Sequence, residues 1–404
     1  MGPEDLARYA ERVLRDAVAF RPGDTLIADG ETAHRELLVA LAEAAYRGGA
    51  RHVEIRYTDR RVQLAKLLDG TDDALGVVTP WDERRLRGTL DPRTAVVHVS
   101  GEEEPGLLAK VDPARTSTDY ARRAKQLRWY LNAIVEHRVR WTIVAWPTAA
   151  WARRVYPELA RTEAQRRLAA DLLSFCRLGP GDGEDGWSRH ARRLERRVAA
   201  LNRRRFTGLE LRGPGTSLDI ALVPGARWMG GGEVTTHGAR IYPNFPTEEV
   251  FTSPDPRGTE GTFRCTKPLS FAGRQIEDIA GTFRRGRLTE ISARKAGDRD
   301  LLERTMSTDR GAGRLGEIAL VDRASRIGQT GRVYWDTLLD ENAASHMAFG
   351  DGFAHTRLDG QPRVNRSAVH LDVMIGSAEV EVIGLGARGR RVPVLAGGEW
   401  RLPE

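Results

Sequence analysis

The sequence is poor in cysteine: its 404 residues include only Cys176 and Cys265, and neither has the spacing of a metal-binding cysteine pair. A disulfide framework is therefore not predicted, and we expect a cytoplasmic protein in a reducing compartment. No apolar run approaches the roughly 20 residues of a membrane-spanning helix. The first residues lack the apolar core of a secretion signal, and no glycine-rich turn follows a predicted strand, so no phosphate-binding loop is predicted.

Acidic residues are fewer than basic ones, 56 against 63, which gives a formal net charge of +7. The excess is almost entirely arginine, and it is densest in residues 187–206. Apolar residues recur there at helical spacing, which predicts an amphipathic helix whose arginines face solvent. A patch for an acidic partner is the alternative interpretation. No nucleic-acid-binding motif supports it, so we expect neither a nucleic-acid nor a membrane partner.

The length allows two domains, since single hydrophobic cores stop growing at roughly 250 to 300 residues. In the first half, strands alternate with helices, which predicts an α/β domain with a mostly parallel sheet and covering helices. The predicted strands are residues 24–30, 51–57, 93–100 and 140–146. From residue 208 onward, short strand patterns are separated by Gly and Pro turns, which predicts a β-rich α+β domain. We expect an N-terminal domain over residues 1–205 and a catalytic domain over 206–404.

The later half carries polar residues where a buried strand or a crowded turn is predicted. Glu341 and His346 lie five residues apart in a stretch rich in small side chains. His370 and Asp372 are two residues apart in an apolar, β-branched run, so on a strand they face the same side. Glu317 interrupts a run that otherwise predicts a buried strand. An unpaired buried carboxylate is costly, so Glu317 needs a partner.

Two adjacent glutamates, Glu248 and Glu249, complete this set of polar residues. On an extended segment they face opposite ways, so only one can serve a shared site directly. Singly, each of these residues could be an ion-paired glutamate or a hydrogen-bonded core histidine. Together, four carboxylates and two neutral imidazoles would balance two divalent cations, and donors without thiolate suit Zn²⁺, Co²⁺ or Mn²⁺. Two such ions about 3.5 to 4 Å apart can activate a bridging water for hydrolysis.

The segments that carry these residues resemble the thermophilic aminopeptidase family of dinuclear metallopeptidases, which includes aminopeptidase T, aminopeptidase S and PepS-like enzymes. The similar blocks in the second half are NFPTEEVFTSPD, KPLSFAG, GRLGEIALV, DTLLDENAASHMAFG, NRSAVHLDVMIGS and GGEW, and WTIVAWPTAAWA is similar in the first half. The resemblance implies two divalent metal ions held by Glu249, Glu317, Glu341, His346, His370 and Asp372. It also implies a homodimer.

The activity that this resemblance implies is hydrolysis of the N-terminal peptide bond of a small peptide or aminoacyl substrate. Water activated by the two ions would attack the peptide carbonyl, and a carboxylate would accept its proton. Glu248 and Glu249 are the nearest candidates for that base. Which of the two is a ligand and which is the base stays open from the sequence.

One departure from the family pattern concerns the residue that follows the Gly350 turn. The family has Gly-x-x-Tyr there, whereas Phe353 occupies the tyrosine position in this chain. A phenyl ring can neither bind metal nor donate a hydrogen bond. Three interpretations follow: a slower aminopeptidase, substitution of the hydroxyl by another group such as His355, or a metal-dependent amidohydrolase that acts on one dedicated small molecule. A non-catalytic dimeric binding protein with structural metals is a further hypothesis.

Overall fold

The structure is a computed structural model that describes residues 2–272, 274–356 and 364–404. The chain forms two compact units, Met1–Trp187 with Gly232–Pro246, and Ser188–Gly231 with Thr247–Glu404. Gly232–Pro246 thus belongs with the first unit, although it lies beyond residue 206, where the sequence predicts the domain boundary. The physical reason is strand pairing, since Asn244 and Phe245 extend the parallel sheet of the first unit.

The helices of the described residues follow in chain order. They are α1 (Pro3–Arg12), α2 (Arg35–Arg47), α3 (Arg60–Asp69), α4 (Pro80–Gly88), α5 (Pro113–Gln126), α6 (Arg128–Val135), α7 (Ala149–Val155), α8 (Arg161–Phe175), α9 (Gly186–Arg204), α10 (Ala296–Met306), α11 (Arg326–Gln329) and α12 (Thr337–Asp340). Local sequence explains several starts: the Thr79 hydroxyl accepts from the Asp82 N–H, with Pro80 in the first turn of α4. None of these helices is both long enough and apolar enough to cross a membrane.

The strands are short and are more frequent in the second half of the chain. They are β1 (Thr25–Glu31), β2 (His52–Thr58), β3 (Thr94–Ser100), β4 (Arg140–Ala145), β5 (Gly208–Gly213), β6 (Thr216–Leu222), β7 (Met229–Gly230), β8 (Glu233–Val234), β9 (Arg240–Ile241), β10 (Asn244–Phe245), β11 (Val250–Thr252), β12 (Pro254–Arg264), β13 (Leu269–Phe271), β14 (Arg274–Ile276), β15 (Ala280–Arg284), β16 (Arg287–Ser292), β17 (Leu315–Leu320), β18 (His346–Gly350), β19 (His370–Met374), β20 (Glu381–Leu385), β21 (Arg391–Ala396) and β22 (Glu399–Trp400).

The first unit is built on a five-stranded sheet in the order β10-β4-β3-β1-β2. All of its strand pairs are parallel, and their central residues, among them Leu26, Val96 and Val97, are buried. Parallel strands need both faces covered, and the inner strands β1 and β3 are largely buried. The edge strand β2 is more exposed and carries His52, Glu54 and Arg56. The predicted α/β fold with a parallel sheet is confirmed.

The second unit contains a five-stranded sheet, β19-β18-β17-β11-β7, and an eight-stranded sheet, β16-β15-β12-β6-β5-β20-β21-β22. Their strand pairs are antiparallel, so the predicted β-rich character of this half is confirmed. Both sheets contribute to one hydrophobic core, which includes Leu211, Phe263, Ile318 and Phe349. The five-stranded sheet carries the polar residues singled out in the sequence.

The predicted amphipathic helix corresponds to α9, and its apolar face includes the buried Leu194 and Leu201. Arg192 and Arg196 are exposed, as the sequence predicts. Arg197 differs: it is buried, and it forms ion pairs with Asp322 and the Glu404 side chain. The helix therefore contributes one arginine to the interior of the unit, where two carboxylates compensate its charge.

Candidate metal centre

Two carboxylates lie on one face of three neighbouring antiparallel strands, β17, β18 and β19. Glu317 stands opposite Ala348, and Ala348 stands opposite Asp372. These residues form a row across the sheet, and alternate residues on a strand face the same side. Because the residue between the two carboxylates carries only a methyl group, the row leaves space above its centre.

Both predicted histidine ligands lie on the same face as this row. His346 is two residues before Ala348 on β18, and His370 is two residues before Asp372 on β19. The opposite face packs into the hydrophobic core through Ile318, Met347, Leu371 and Val373. The alternation that the sequence predicts around His370 is therefore confirmed, since Leu371 and Val373 are buried in the core.

Glu249 reaches this face from a fourth strand. It directly precedes β11, which pairs with β17 through Val250 and Leu320 on the side away from β18. The Glu249 Oε2 atom lies 3.1 Å from the Nε2 atom of His346. Four segments that are distant in the sequence thus converge at one place.

Two groups of side chains each bring three possible ligand atoms within 4.8 Å of one another. The first group is Glu249, Glu317 and His346, and the second group is Glu317, His370 and Asp372. His370 Nε2 lies 3.4 Å from both Glu317 Oε2 and Asp372 Oδ1. Glu317 belongs to both groups, so its carboxylate is the element that joins them.

Backbone carbonyls orient both histidines. The Nδ1 atom of His346 is 3.3 Å from the Ala344 carbonyl, and the Nδ1 atom of His370 is 3.1 Å from the Asp351 carbonyl. A carbonyl can only accept, so Nδ1 carries the proton and donates it in each case. This arrangement turns Nε2 of each ring toward the carboxylates, which is the usual orientation of metal-binding histidines.

Glu341 is buried in a 3₁₀ turn, Glu341–Ala343, that follows α12. Burial raises the pKa of its carboxyl well above the usual range, and the negative charges of Asp372 and Glu249 raise it further. The Glu341 carboxyl is therefore close enough for the charges of Asp372 and Glu249 to change its pKa. Its oxygens belong to neither of the two groups that contain Glu317.

The charges of the centre shift the pKa values of its imidazoles strongly. Burial lowers the pKa of His346, but the hydrogen bond and charge of Glu249, with the charges of Glu317 and Asp372, raise it to about 10. Burial likewise opposes protonation of His370, yet Asp372 and Glu317 raise its pKa well above the ordinary value. In the metal-free protein, protonated histidines therefore supply the positive charge that so many carboxylates require.

The donor set fits divalent cations. The buried Oδ1 atom of Asp372 faces His370 Nε2 at 3.4 Å without a well-aligned hydrogen bond, and a buried carboxylate oxygen is better satisfied by a direct bond to a positive partner. The pKa of the Glu317 carboxyl is raised by burial and by the neighbouring Glu249 charge. Carboxylate oxygens and imidazole nitrogens without thiolate are ligands that Zn²⁺, Co²⁺ and Mn²⁺ accept.

Glu248 has different partners from Glu249. Its Oε2 atom lies 3.7 Å from His190 Nε2, and its Oε1 atom accepts from the Arg326 N–H at 3.4 Å. Its own backbone N–H donates to Asn342 Oδ1 at 2.7 Å. The separate partners of Glu248 and Glu249 are consistent with the opposite orientation that the sequence predicts.

Phe353 lies next to the second group. The centroid of its ring is 5.5 Å from that of His370, and further contacts join it to Phe251 at 5.2 Å and His355 at 5.5 Å. Its N–H donates to Ser253 Oγ at 2.9 Å. Phe353 therefore contacts the rings of both His370 and His355, and it occupies the position of the tyrosine in the family pattern.

His190 lies next to Glu248 and was not predicted from the sequence. It is buried, and its Nε2 atom lies 2.8 Å from the Thr247 carbonyl, beside Glu248. A signal was available, because His190 lies at helical spacing with the apolar Trp187, Ala191 and Leu194. A polar residue on the apolar stripe of a helix requires a buried partner.

We expect metal binding by this centre to release protons. At pH 8 a histidine with a pKa of about 10, such as His346, is protonated, whereas a metal requires the neutral ring. Apparent affinity should therefore fall as the pH is lowered from 10, by about tenfold per pH unit for each proton displaced. Calorimetric titration of Zn²⁺ into metal-stripped protein, in buffers with different ionisation enthalpies, measures the number of protons.

The matched control is His98→Ala, which removes a histidine that pairs with Asp29 at 2.9 Å in the first unit. That variant should release the same number of protons as the parent protein. Metal binding without proton release at pH 8 would contradict the charge state described for the centre.

Comparison with known proteins places the chain in a family. The model of the thermophilic metalloprotease (M29) family matches residues 3–400. Aminopeptidase T of Thermus thermophilus is 37% identical over 404 residues, with 98% of each chain covered. Aminopeptidase 2 of Geobacillus stearothermophilus is 33% identical over 406 residues, with the same coverage of both chains.

Solved structures agree with this assignment. The wild-type AmpT of Thermus thermophilus superposes with a TM-score of 0.91 at 36% identity, covering 98% of this chain and 99% of that chain. The 2,5-dihydroxypyridine dioxygenase of Pseudomonas putida KT2440 superposes with a TM-score of 0.54 at 14% identity, which shows a likeness of fold alone. The chain therefore belongs to the thermophilic metalloprotease (M29) family, which confirms the family predicted from the sequence and the predicted class of enzyme, a metallo-aminopeptidase.

Proposed function

We propose that this protein hydrolyses the N-terminal peptide bond of small peptides with two divalent metal ions in the centre. The observation that carries the proposal is the position of Glu317, whose carboxylate belongs to both groups of possible ligands. A carboxylate shared in this way can hold two ions close together. The distances within each of the two groups that share Glu317 support one ion in each group. The candidate ions are Zn²⁺, Co²⁺ and Mn²⁺.

The six predicted ligands divide between these two ions in the proposal. Glu249 and His346 would bind one ion, His370 and Asp372 would bind the other, and Glu317 would bind both. Glu341 would complete the set, which is consistent with the effect of the Asp372 and Glu249 charges on its pKa. When bound, the ions would polarise the substrate carbonyl and lower the pKa of a water molecule.

Of the two adjacent glutamates, we propose Glu249 as the ligand and as the carboxylate that accepts a proton during hydrolysis. A general base must lie within hydrogen-bond reach of the proton that it removes. Glu249 contacts His346, whereas Glu248 contacts His190 and the Arg326 N–H. Glu248 would then act as a positioning residue that fixes the segment before β11.

Substrates that differ only at the amino terminus test the proposed activity. Metal-loaded protein should release amino acids from dipeptides and aminoacyl anilides but not from the same compounds with an acetylated amino group. The comparison isolates the requirement for a free N-terminus, because the scissile bond and side chains are unchanged. Equal rates on free and acetylated substrates would contradict aminopeptidase activity.

A second candidate function rests on Phe353. The site would act on one dedicated small-molecule amide, because the ring beside His370 lacks the hydroxyl found in the family pattern. This alternative predicts that Phe353→Tyr raises the rate on aminoacyl anilides by about 10²-fold, since one donor to a developing oxyanion contributes about 2.7 to 4 kcal/mol. Steady-state kinetics of both proteins at equal metal content measure the gain.

The control for this variant is Phe251→Tyr, which adds the same hydroxyl to the neighbouring ring of the aromatic contact. It should leave the anilide rate unchanged. Good activity of the parent protein on ordinary peptides, with no gain from Phe353→Tyr, would reject the dedicated-substrate alternative. His355 would then be tested as the substituting donor by His355→Phe.

We also propose that the enzyme works as a cytoplasmic homodimer on small peptide or aminoacyl substrates. Neither cysteine forms a disulfide, which is consistent with a reducing compartment. Light scattering of the purified protein measures its subunit number directly. If the protein were instead a binding protein with structural metals, His370→Ala would lower its melting temperature, and the parent protein would show no turnover.

A further inference from the structure

A pocket in the same unit lies beside the metal centre. Its volume is about 440 Å³, within the range of about 300 to 1,000 Å³ that is usual for small-molecule sites. None of the six predicted metal ligands lines it. Its wall includes Ala343, Ala344 and Ser345, three of the four residues between Glu341 and His346. We refer to it as the Lys267 pocket, after the one lysine in its wall.

Lys267 is the distinctive charge of this pocket. It is half-buried, and its ammonium makes no hydrogen bond or ion pair with any described residue. Burial lowers the pKa of Lys267, and the nearby Asp340 charge only partly opposes that effect. A half-buried cation without a partner is unfavourable, so the position suits an anionic ligand.

Lysine is rare in this chain, so its presence at position 267 indicates a preference for an ammonium group over a guanidinium group. Only five of the chain's 63 basic residues are lysines, so arginine is the usual cation at positions where either would serve. Lysine offers a compact ammonium on a flexible stem, whereas arginine presents a wide planar fork. A small pocket that must receive a single negative charge favours the ammonium.

The other charged groups of the pocket are already paired. Asp322 forms a buried ion pair with Arg197 and accepts from the Ala324 N–H. Arg323 lies 3.7 Å from Glu399. Glu399 also contacts Arg401 at 3.0 Å, and Arg323 is exposed to solvent. The half-buried positive charge left for a ligand is therefore that of Lys267, with Asp340 nearby but outside the wall of the pocket. That balance fits a monoanion better than a doubly charged phosphate, and it offers no free carboxylate for a ligand's ammonium group.

The remaining walls define the rest of the ligand. One side is apolar: Ala343, Ala344 and the exposed Ala378 line it, backed by the buried core residues Leu211, Val380, Val382 and Leu395. Gln329, an exposed residue whose side-chain amide makes no hydrogen bond to a described residue, also lines the pocket. A carboxylate beside Lys267 and Gln329, with a short hydrocarbon chain against the apolar wall, would satisfy both kinds of surface.

We propose that the Lys267 pocket binds a small aliphatic carboxylate that carries no ammonium group. This binding site goes beyond the proposed peptidase activity, and it does not depend on it. The ligand would pack against Ala343–Ser345, so it would contact the segment that carries two of the predicted metal ligands.

Calorimetric titration of the purified protein with 3-methylbutanoate tests the proposal. We expect one binding site per chain, and no binding of 3-methylbutan-1-ol, which has the same hydrocarbon chain without the charge. Lys267→Met should weaken binding by about tenfold or more, because a hydrogen bond between charged groups is lost. Lys267→Arg should retain part of the affinity. Lys295→Met, which removes an exposed lysine on the same unit, should leave it unchanged.

Three results would overturn the proposal. Equal binding of the alcohol and the carboxylate would show an apolar pocket without anion recognition, and undiminished binding to Lys267→Met would place the site elsewhere. A change in subunit number in Lys267→Met, without 3-methylbutanoate binding to the parent protein, would identify the pocket as an interface with another chain. Because binding is measured directly, inactivity toward peptides would leave the result unaffected.

Discussion

Replacing Glu317 by Gln is expected to remove both metal ions and to lower kcat for peptide hydrolysis by about 10³-fold or more. The substitution keeps the size of a side chain that is buried on β17 but removes the charge that both groups share. Loss of one shared ligand weakens two sites at once. Metal content after dialysis, determined by elemental analysis, and kcat at saturating metal measure the two parts of the prediction.

Two comparison variants make this result specific. Asp372→Asn alters a residue of the second group only, so it should retain one ion per chain. Glu290→Gln makes the same change as Glu317→Gln at an exposed position on β16, and it should retain both ions and full activity. A Glu317→Gln protein that keeps one tightly bound ion would show that the carboxylate does not join the two sites.

The second large effect separates the adjacent glutamates. Glu249→Gln should lower kcat by about 10²- to 10⁴-fold, the range for loss of a general base, and should also reduce metal content. Glu248→Gln should keep both ions and lower kcat only about tenfold, because residues that orient ligands have smaller effects. The two variants should differ because Glu249 contacts His346, a predicted metal ligand, whereas Glu248 contacts His190.

The pH profile distinguishes the two roles further. If Glu248 were the base, Glu248→Gln would abolish the acidic limb of the kcat profile while both ions stayed bound. If it only positions the segment, the profile should keep its shape at a lower height. His190→Gln, which alters the partner of Glu248 and lies on α9, should then reproduce the modest effect of Glu248→Gln.

The sequence allowed the strand residues of the centre to be predicted because a strand repeats every two residues. His370 and Asp372 had to share a face once the intervening Leu371 was buried, and Glu317 was conspicuous in an apolar run. The ligand set was inferred from the family resemblance. It stays a prediction, although the structure brings five of the six side chains into two overlapping groups.

Other features depend on pairing between distant segments and could not be read from one stretch. The register that places Ala348 between Glu317 and Asp372 is fixed only when β17, β18 and β19 assemble. The entry of Gly232–Pro246 into the first unit likewise depends on the pairing of β10 with β4. Such pairings are set by tertiary packing, which local patterns do not specify.

Titration of metal-stripped protein with Co²⁺ tests the central claim most directly. Visible absorption would report occupancy of the centre while release of an amino acid from an aminoacyl anilide is followed in the same samples. The account predicts that absorption and activity both saturate at two equivalents per chain and that Glu317→Gln shows neither. Full activity at one equivalent, or two bound ions without hydrolysis of any aminoacyl substrate, would contradict it.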